Sequence, residues 1–75
     1  MYKKGIRVAV IFEPERKHPK VMWFDLGGEQ ARVQEECYFW QSHEGKAEIS
    51  HYSLQTDKGL FELQFNSIDQ TWRLK

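Results

Sequence analysis

The chain has 75 residues, of which 40% are hydrophobic and 15% aromatic, with 11 basic side chains, 11 acidic side chains and one cysteine. This length predicts a single domain over residues 1–75, and the aromatic content argues against a disordered chain. One cysteine cannot form an internal disulfide scaffold, and the longest apolar run, residues 8–12, is far shorter than the roughly 20 residues of a membrane-spanning helix.

Charge and cysteine usage also bear on location and partner. A cysteine-poor chain with neither a long apolar segment nor a signal peptide is typical of a soluble protein, and we expect a cytoplasmic location. Residues 1–20 hold six basic and two acidic side chains, whereas residues 21–69 hold three basic and nine acidic ones. Because phosphate contacts dominate affinity for nucleic acids, the acidic stretch favours a protein partner.

Hydrophobic residues alternate with polar ones through most of the chain, which predicts β-strands. Turn residues separate the apolar segments at Gly27-Gly28, 43–45, 57–59 and 67–70. We predict that the turns at 43–45 and at 57–59 each contain three residues, all of them outside the paired strands. The predicted strands are residues 6–12, 20–26, 29–41, 46–56, 60–66 and 71–75.

The third segment permits two interpretations. Its first half consists of good helix formers, and Val33, Cys37 and Trp40 have helical spacing. The preceding turn and the adjacent aromatics at 38–40 favour a strand. We therefore predict an all-β fold, a small antiparallel six-strand meander curled into an SH3-like or OB-like barrel. The alternative is an α+β fold with one helix near residues 29–40.

The predicted turns also sort side chains onto two faces of the sheet. One face forms a plausible core, made of Met22, Phe24, Ala31, Val33, Cys37, Phe39, Ile49, Phe61, Leu63, Phe65, Trp72 and Leu74. The other face collects aromatic and basic side chains that could meet a partner, namely Trp23, Arg32, Tyr38, Trp40 and Tyr52. Such a face is either covered by the first strand or the loop 13–19, partly buried by a shifted register, or exposed as an interaction surface.

Evidence for catalysis or metal binding is sparse. The predicted register places Cys37 opposite His51, the geometry of a nucleophile with its base or of half a zinc site. No further ligand has a suitable spacing, and a buried cysteine beside a hydrogen-bonded histidine is the simpler interpretation. We expect no enzymatic activity, no catalytic residue, no metal and no cofactor.

These observations favour a non-enzymatic binding module whose aromatic and basic face contacts a protein or nucleic-acid partner. A protein partner or self-association is more consistent with the charge than nucleic acid, and neither a membrane nor a small-molecule substrate is indicated. The alternative is a structural homo-oligomer that buries this face between copies of the chain.

Several motifs also resemble a known family. These are F-x-L-G-G-x-x-A-x-V from Phe24, Y-x-W from Tyr38, G-L-F-E-L-x-F-N from Gly59 and W-x-L from Trp72. In this pattern the chain is similar to a family of short bacterial β-domains, some of which are appended to Y-family DNA polymerases. Ala31 stands where that family tends to have an aromatic residue. The resemblance implies a small β-fold and a setting in nucleic-acid transactions, and it implies no catalytic residue.

Overall fold

Six antiparallel strands follow one another in the computed structural model, which describes residues 5–75. Each strand pairs with the next one in sequence, so the sheet order is the chain order. This arrangement confirms the predicted all-β meander, which curls into a half-barrel. The strands are β1 Val8–Ile11, β2 Lys20–Leu26, β3 Glu29–Glu44, β4 Ala47–Thr56, β5 Gly59–Asn66 and β6 Thr71–Leu74.

Strand β3 is a strand throughout its 16 residues, so the alternative helix near 29–40 is wrong. It pairs with β2 over Glu29–Arg32 and with β4 from Val33 to Glu44. Two register shifts, between Val33 and Glu35 and between Glu36 and Tyr38, interrupt the pairing with β4. Such bulges bend a strand and increase its twist. The bends allow one long strand to pair with β2 in one half of the curled sheet and with β4 in the other half.

The chain segment before β1 meets the last strand. The backbone N–H of Ile6 donates a hydrogen bond to the carbonyl oxygen of Trp72 at 3.1 Å. A Cβ atom added at Gly5 would lie 3.2 Å from the same oxygen, which is tighter than most side chains tolerate. The two ends of the sheet therefore approach each other closely at this point.

Two of the predicted turns have the expected register. Phe24 lies opposite Ala31 across the turn at Gly27-Gly28, where both glycines have positive φ. Leu63 lies opposite Leu74 across the turn at 67–70. The side chain of Asn66 shapes that second turn, because its Oδ1 accepts hydrogen bonds from the N–H groups of residues 68 and 69.

The other two hairpins have turns one residue shorter than predicted, and their registers differ by three residues at β3–β4 and by one at β4–β5. Glu44 pairs with Ala47 across a two-residue turn, and Thr56 pairs with Gly59, not with Leu60. Because side chains alternate along a strand, a shift by an odd number of residues exchanges the faces. Tyr52 consequently lies opposite Phe39 on the core side, and the predicted pairing of Cys37 with His51 is wrong.

The buried core confirms part of the predicted set and corrects the rest. Phe24, Ala31 and Leu63 are fully buried, as expected, whereas Met22 and Leu74 are 39% and 37% exposed and Cys37 is exposed. A register shift within the β1–β2 pair turns Met22 outward and brings Val21 into the core. The cluster of buried residues consists of Val21, Phe24, Ala31, Tyr52, Leu54 and Leu63.

Candidate functional site

Four of the five predicted site residues lie on the sheet face opposite the core. Tyr38 and Trp40 alternate with the core-facing Phe39 on β3, and Trp23 precedes the buried Phe24 on β2. Arg32 lies directly opposite Trp23. We call Trp23, Arg32, Tyr38 and Trp40 the aromatic face.

The rings of Tyr38 and Trp40 are neighbours on this face. Their centroids are 5.3 Å apart at an interplanar angle of 48°. Tyr38 is 65% exposed, whereas Trp40 is half-buried. A solvent-exposed tyrosine beside a partly buried tryptophan presents a large apolar surface together with polar ring atoms, a combination enriched at protein interfaces.

His51 lies opposite Trp40 on the neighbouring strand β4 and supports it by stacking. The imidazole and the indole are nearly parallel, with 4.5 Å between ring centroids. The Nε2 atom of His51 is 2.8 Å from the Ser42 hydroxyl, and Nδ1 is 3.4 Å from the Glu62 carboxylate and 3.4 Å from the Gln64 amide. Both ring nitrogens thus have partners. This buried histidine is a structural support of the aromatic face.

Arg32 is anchored through its backbone. Its N–H donates to Oδ1 of Asp57 at 2.9 Å, and its carbonyl oxygen accepts from the Asp57 N–H at 3.0 Å. Asp57 belongs to the turn between β4 and β5. The exposed guanidinium remains available on the aromatic face beside Trp23, because these bonds involve only the Arg32 backbone.

Tyr52 does not belong to the aromatic face. The side chain is 1% exposed and packs edge-on against Phe39, with 5.0 Å between ring centroids. Burial, followed by the nearby Glu36 carboxylate, raises the pKa of Tyr52 to about 12, against an opposing effect of Arg16. The placement of Tyr52 on the partner-binding face is therefore corrected: the shorter turn at Gly45 moves it into the core.

A second cluster fixes the loop between β1 and β2, residues 12–19. Arg16 Nη2 donates to Glu36 Oε1 at 2.6 Å, and His18 Nε2 is 3.0 Å from Glu36 Oε2. The His18 ring also stacks on Phe39, with centroids 3.7 Å apart and planes 3° from parallel. Sequence reasoning missed this cluster, because its members come from distant segments without a recognisable spacing.

Next to this loop, β2 and β3 diverge and leave a cleft of about 380 Å³. The apolar part of its lining comes from Val21, Met22 and Val33. Charged side chains of both signs complete it, including Lys20 and Glu35. The cleft opens beside the part of β3 that has β4 as its neighbour on one side only.

The proposed Cys37–His51 pair is not formed. Trp40, not Cys37, lies opposite His51, and Cys37 is an exposed free cysteine at a register shift of β3. Within residues 5–75, no group of three or more histidine, cysteine, aspartate or glutamate side chains is placed to hold a metal ion. The same part of the chain has no helix that is long and apolar enough to span a membrane.

Comparisons with protein-family models, curated proteins and solved structures gave no match. The resemblance to short bacterial β-domains therefore stays a prediction from the sequence.

Proposed function

We propose that this chain is a small binding module, with no chemistry of its own, that contacts a protein partner through the aromatic face. The observation that carries the proposal is the exposed Tyr38 ring beside Trp40, whose indole stacks on the buried His51. An aromatic anchor that is already ordered loses little conformational freedom on binding, and this lowers the cost of association.

The surrounding charge supports a protein over a nucleic acid. Strand β3 carries four glutamates and one arginine, and residues 21–69 contain nine acidic and three basic side chains. A nucleic acid on this face would bring its phosphates towards that acidic surround, and Arg32 alone offers little compensation. A partner with basic and apolar groups would meet complementary charge.

Packing and hydrogen bonds account for the positions of two of the histidines. Hydrogen bonds engage both nitrogens of His51, and His18 is held between Glu36 and Phe39. These contacts give both histidines a structural role, His51 beside Trp40 and His18 against the Phe39 ring. The resemblance to bacterial β-domains supports a bacterial origin, and the single cysteine supports the proposal of a cytoplasmic location.

Selection from a random 12-residue peptide display library tests the proposal. We expect enrichment against the wild-type chain and about tenfold weaker binding of the enriched peptides to Tyr38→Ala, the loss that an interface hot spot produces. Phe12→Ala is the matched control, because it removes an aromatic ring that is 79% exposed but lies outside the aromatic face.

Three outcomes would overturn the proposal. The first is a lack of enriched peptides, and the second is equal binding to wild type and Tyr38→Ala. The third is tight binding of single-stranded DNA at low salt that Tyr38→Ala abolishes, which would assign the face to nucleic acid. Sedimentation of the chain alone tests self-association: a dimer that Tyr38→Ala dissociates would assign the aromatic face to a second copy.

A further inference from the structure

Strand β3 has a free edge. It pairs with β2 only over Glu29–Arg32, and Tyr38–Glu44 has β4 on one side and, within residues 5–75, no strand on the other. On the free side of an edge strand, every second residue directs its backbone N–H and C=O groups away from the sheet. These groups can pair with an additional strand.

Proteins usually protect such edges with bulges, prolines, lysines or a covering segment. The earlier part of β3 has such protection: it contains both register shifts, and the β1–β2 loop is attached there through the Arg16–Glu36 ion pair. Residues 38–44 have no register shift, and the β1–β2 loop touches them only at the core-facing ring of Phe39, on which His18 stacks. They pair with 53–47 without a shift, and they contain no proline, glycine or lysine.

We propose that the free edge of Tyr38–Glu44 binds an extended, basic segment of the partner protein as a seventh strand of the sheet. This inference rests on the proposed function, and it specifies how the partner binds. Tyr38 and Trp40 project from the same stretch of β3, so alternate side chains of an added strand would lie beside both rings.

Charge identifies the kind of segment that fits. Exposed glutamates lie near both ends of the edge, Glu35 before Tyr38 and Glu44 at its end, and β3 contains no lysine or arginine beyond Arg32. Lysine or arginine at alternate positions of the added strand would face this acidic surround. The adjoining cleft, with Val21, Met22 and Val33 in its lining, offers an apolar side chain a place beyond the Tyr38 end of the edge.

A second copy of the chain fits the edge less well. In an antiparallel pairing over the whole segment, Glu44 of one copy approaches the Tyr38 end of the other, near its exposed Glu35. In a parallel pairing the two Glu44 side chains approach each other. Both arrangements bring like charges together, which opposes pairing.

The test uses a seven-residue peptide of alternating lysine and valine, with blocked ends, titrated against the full chain by tryptophan fluorescence. Two further peptides carry N-methyl groups, one on the lysine amides and the other on the valine amides. In a β-strand the N–H groups of alternate residues point to the same side. Either the lysine amides or the valine amides of the bound peptide therefore point to β3, but not both. We therefore expect one methylated peptide to bind at least about tenfold more weakly than the other. Glu44→Gln should weaken binding several-fold, and Glu15→Gln, in the β1–β2 loop, should leave it unchanged.

Equal binding of the two methylated peptides would overturn edge pairing, because attraction by charge alone does not depend on amide direction. If Tyr38→Ala still weakens binding in that case, the aromatic face retains its proposed function and only the seventh strand is wrong. Failure of the unmethylated peptide to bind at about 1 mM would also overturn the inference. A dimer in sedimentation that the peptide cannot displace would assign the edge to a second copy.

Discussion

The imidazole of His51 supports the indole of Trp40 at a centroid distance of 4.5 Å, on the sheet face opposite the core. A tryptophan that would otherwise lie loosely on a β-sheet is thereby fixed in one orientation. The support extends to Ser42 on β3 and to Glu62 on β5, through the two ring nitrogens of His51. A single buried histidine thus connects three strands and orders the aromatic face.

Replacement of His51 should destabilise the fold. His51→Ala removes the stacked ring and leaves the Ser42 and Glu62 side chains without this partner, and the loss of such partly buried bonds costs roughly 1–3 kcal/mol in unfolding free energy. Urea unfolding measures the difference. His43→Ala is the control, because the His43 side chain is 71% exposed and its loss should change stability by less than about 0.5 kcal/mol. Equal stability of the two variants would contradict the supporting role of His51.

The two faces of the sheet can be distinguished by mutation. Leu54 is fully buried, and we expect Leu54→Ala to cost roughly 2–5 kcal/mol. Met22 is 39% exposed, and Met22→Ala should cost less than about 1 kcal/mol. The register deduced from the turns alone predicts the reverse order. If urea unfolding shows a larger loss of stability for Met22→Ala than for Leu54→Ala, the register deduced from the turns is favoured over the one in the structure.

Tyr52 should make the protein sensitive to alkali. Its folded pKa of about 12 lies above the unfolded value of about 10, so the buried phenol favours the folded state fully below pH 10. This contribution declines as pH rises from about 10 towards 12, because the unfolded chain can ionise and the folded chain resists it.

Unfolding in urea at a series of pH values tests this dependence. We expect Tyr52→Phe to lose less stability between pH 10 and pH 12 than the wild type does. Tyr38→Phe retains Tyr52 and should lose as much as the wild type. Identical alkaline profiles for wild type and Tyr52→Phe would show that another group controls the transition.

The β1–β2 loop should open when Glu36 loses its charge. Glu36→Gln weakens the contacts to Arg16 and His18, and a loss of about 1 kcal/mol corresponds to about fivefold more of the open form. Trypsin cleavage after the exposed Lys17 reports this opening. Glu13→Gln is the matched control, because the Glu13 carboxylate lies 4.0 Å from Arg16 and should contribute little. Equal cleavage rates for the two variants would contradict the anchoring role of Glu36.

Cys37 should react readily with a thiol reagent in the folded protein. The residue is exposed at a register shift of β3. Burial slows the reaction of a thiol by limiting reagent access, and this limit does not apply to an exposed cysteine. We expect the native rate to lie within about tenfold of the rate in concentrated urea. A native rate a thousandfold slower would indicate that Cys37 is buried on the core side.

The sequence was sufficient to predict the strands and their order, because β-branched and aromatic residues alternate with polar ones between clear turn residues. It also predicted the registers at Gly27-Gly28 and at the turn after Asn66. It was insufficient at Gly45 and Gly59, where glycine marks the turn but does not fix the number of turn residues. Because strands have a period of two, these register errors of three residues and of one residue moved Tyr52 to the wrong face.

The bulges of β3 were not predictable for a related reason. A bulge inserts an extra residue into one strand and leaves the partner strand unchanged. The amino-acid preferences at a bulge are weaker than those at a turn, so the sequence does not mark it clearly. Tyr38 and Trp40 were nevertheless placed on the correct face, because the register shift between Glu36 and Tyr38 cancels the one between Val33 and Glu35. The contact between His18 and Glu36 depends on the curvature of the whole sheet, which local sequence patterns do not encode.

The meander has a consequence for how the chain folds. Each hairpin joins segments adjacent in sequence, so its loop closes at a small entropic cost and can form early. The hydrogen bond from Ile6 to Trp72 instead joins positions near opposite ends of the chain, and the entropy of almost the whole chain opposes it. We therefore expect hairpin formation around β4 to precede the approach of the two sheet ends, which makes that hydrogen bond a late event on the folding pathway.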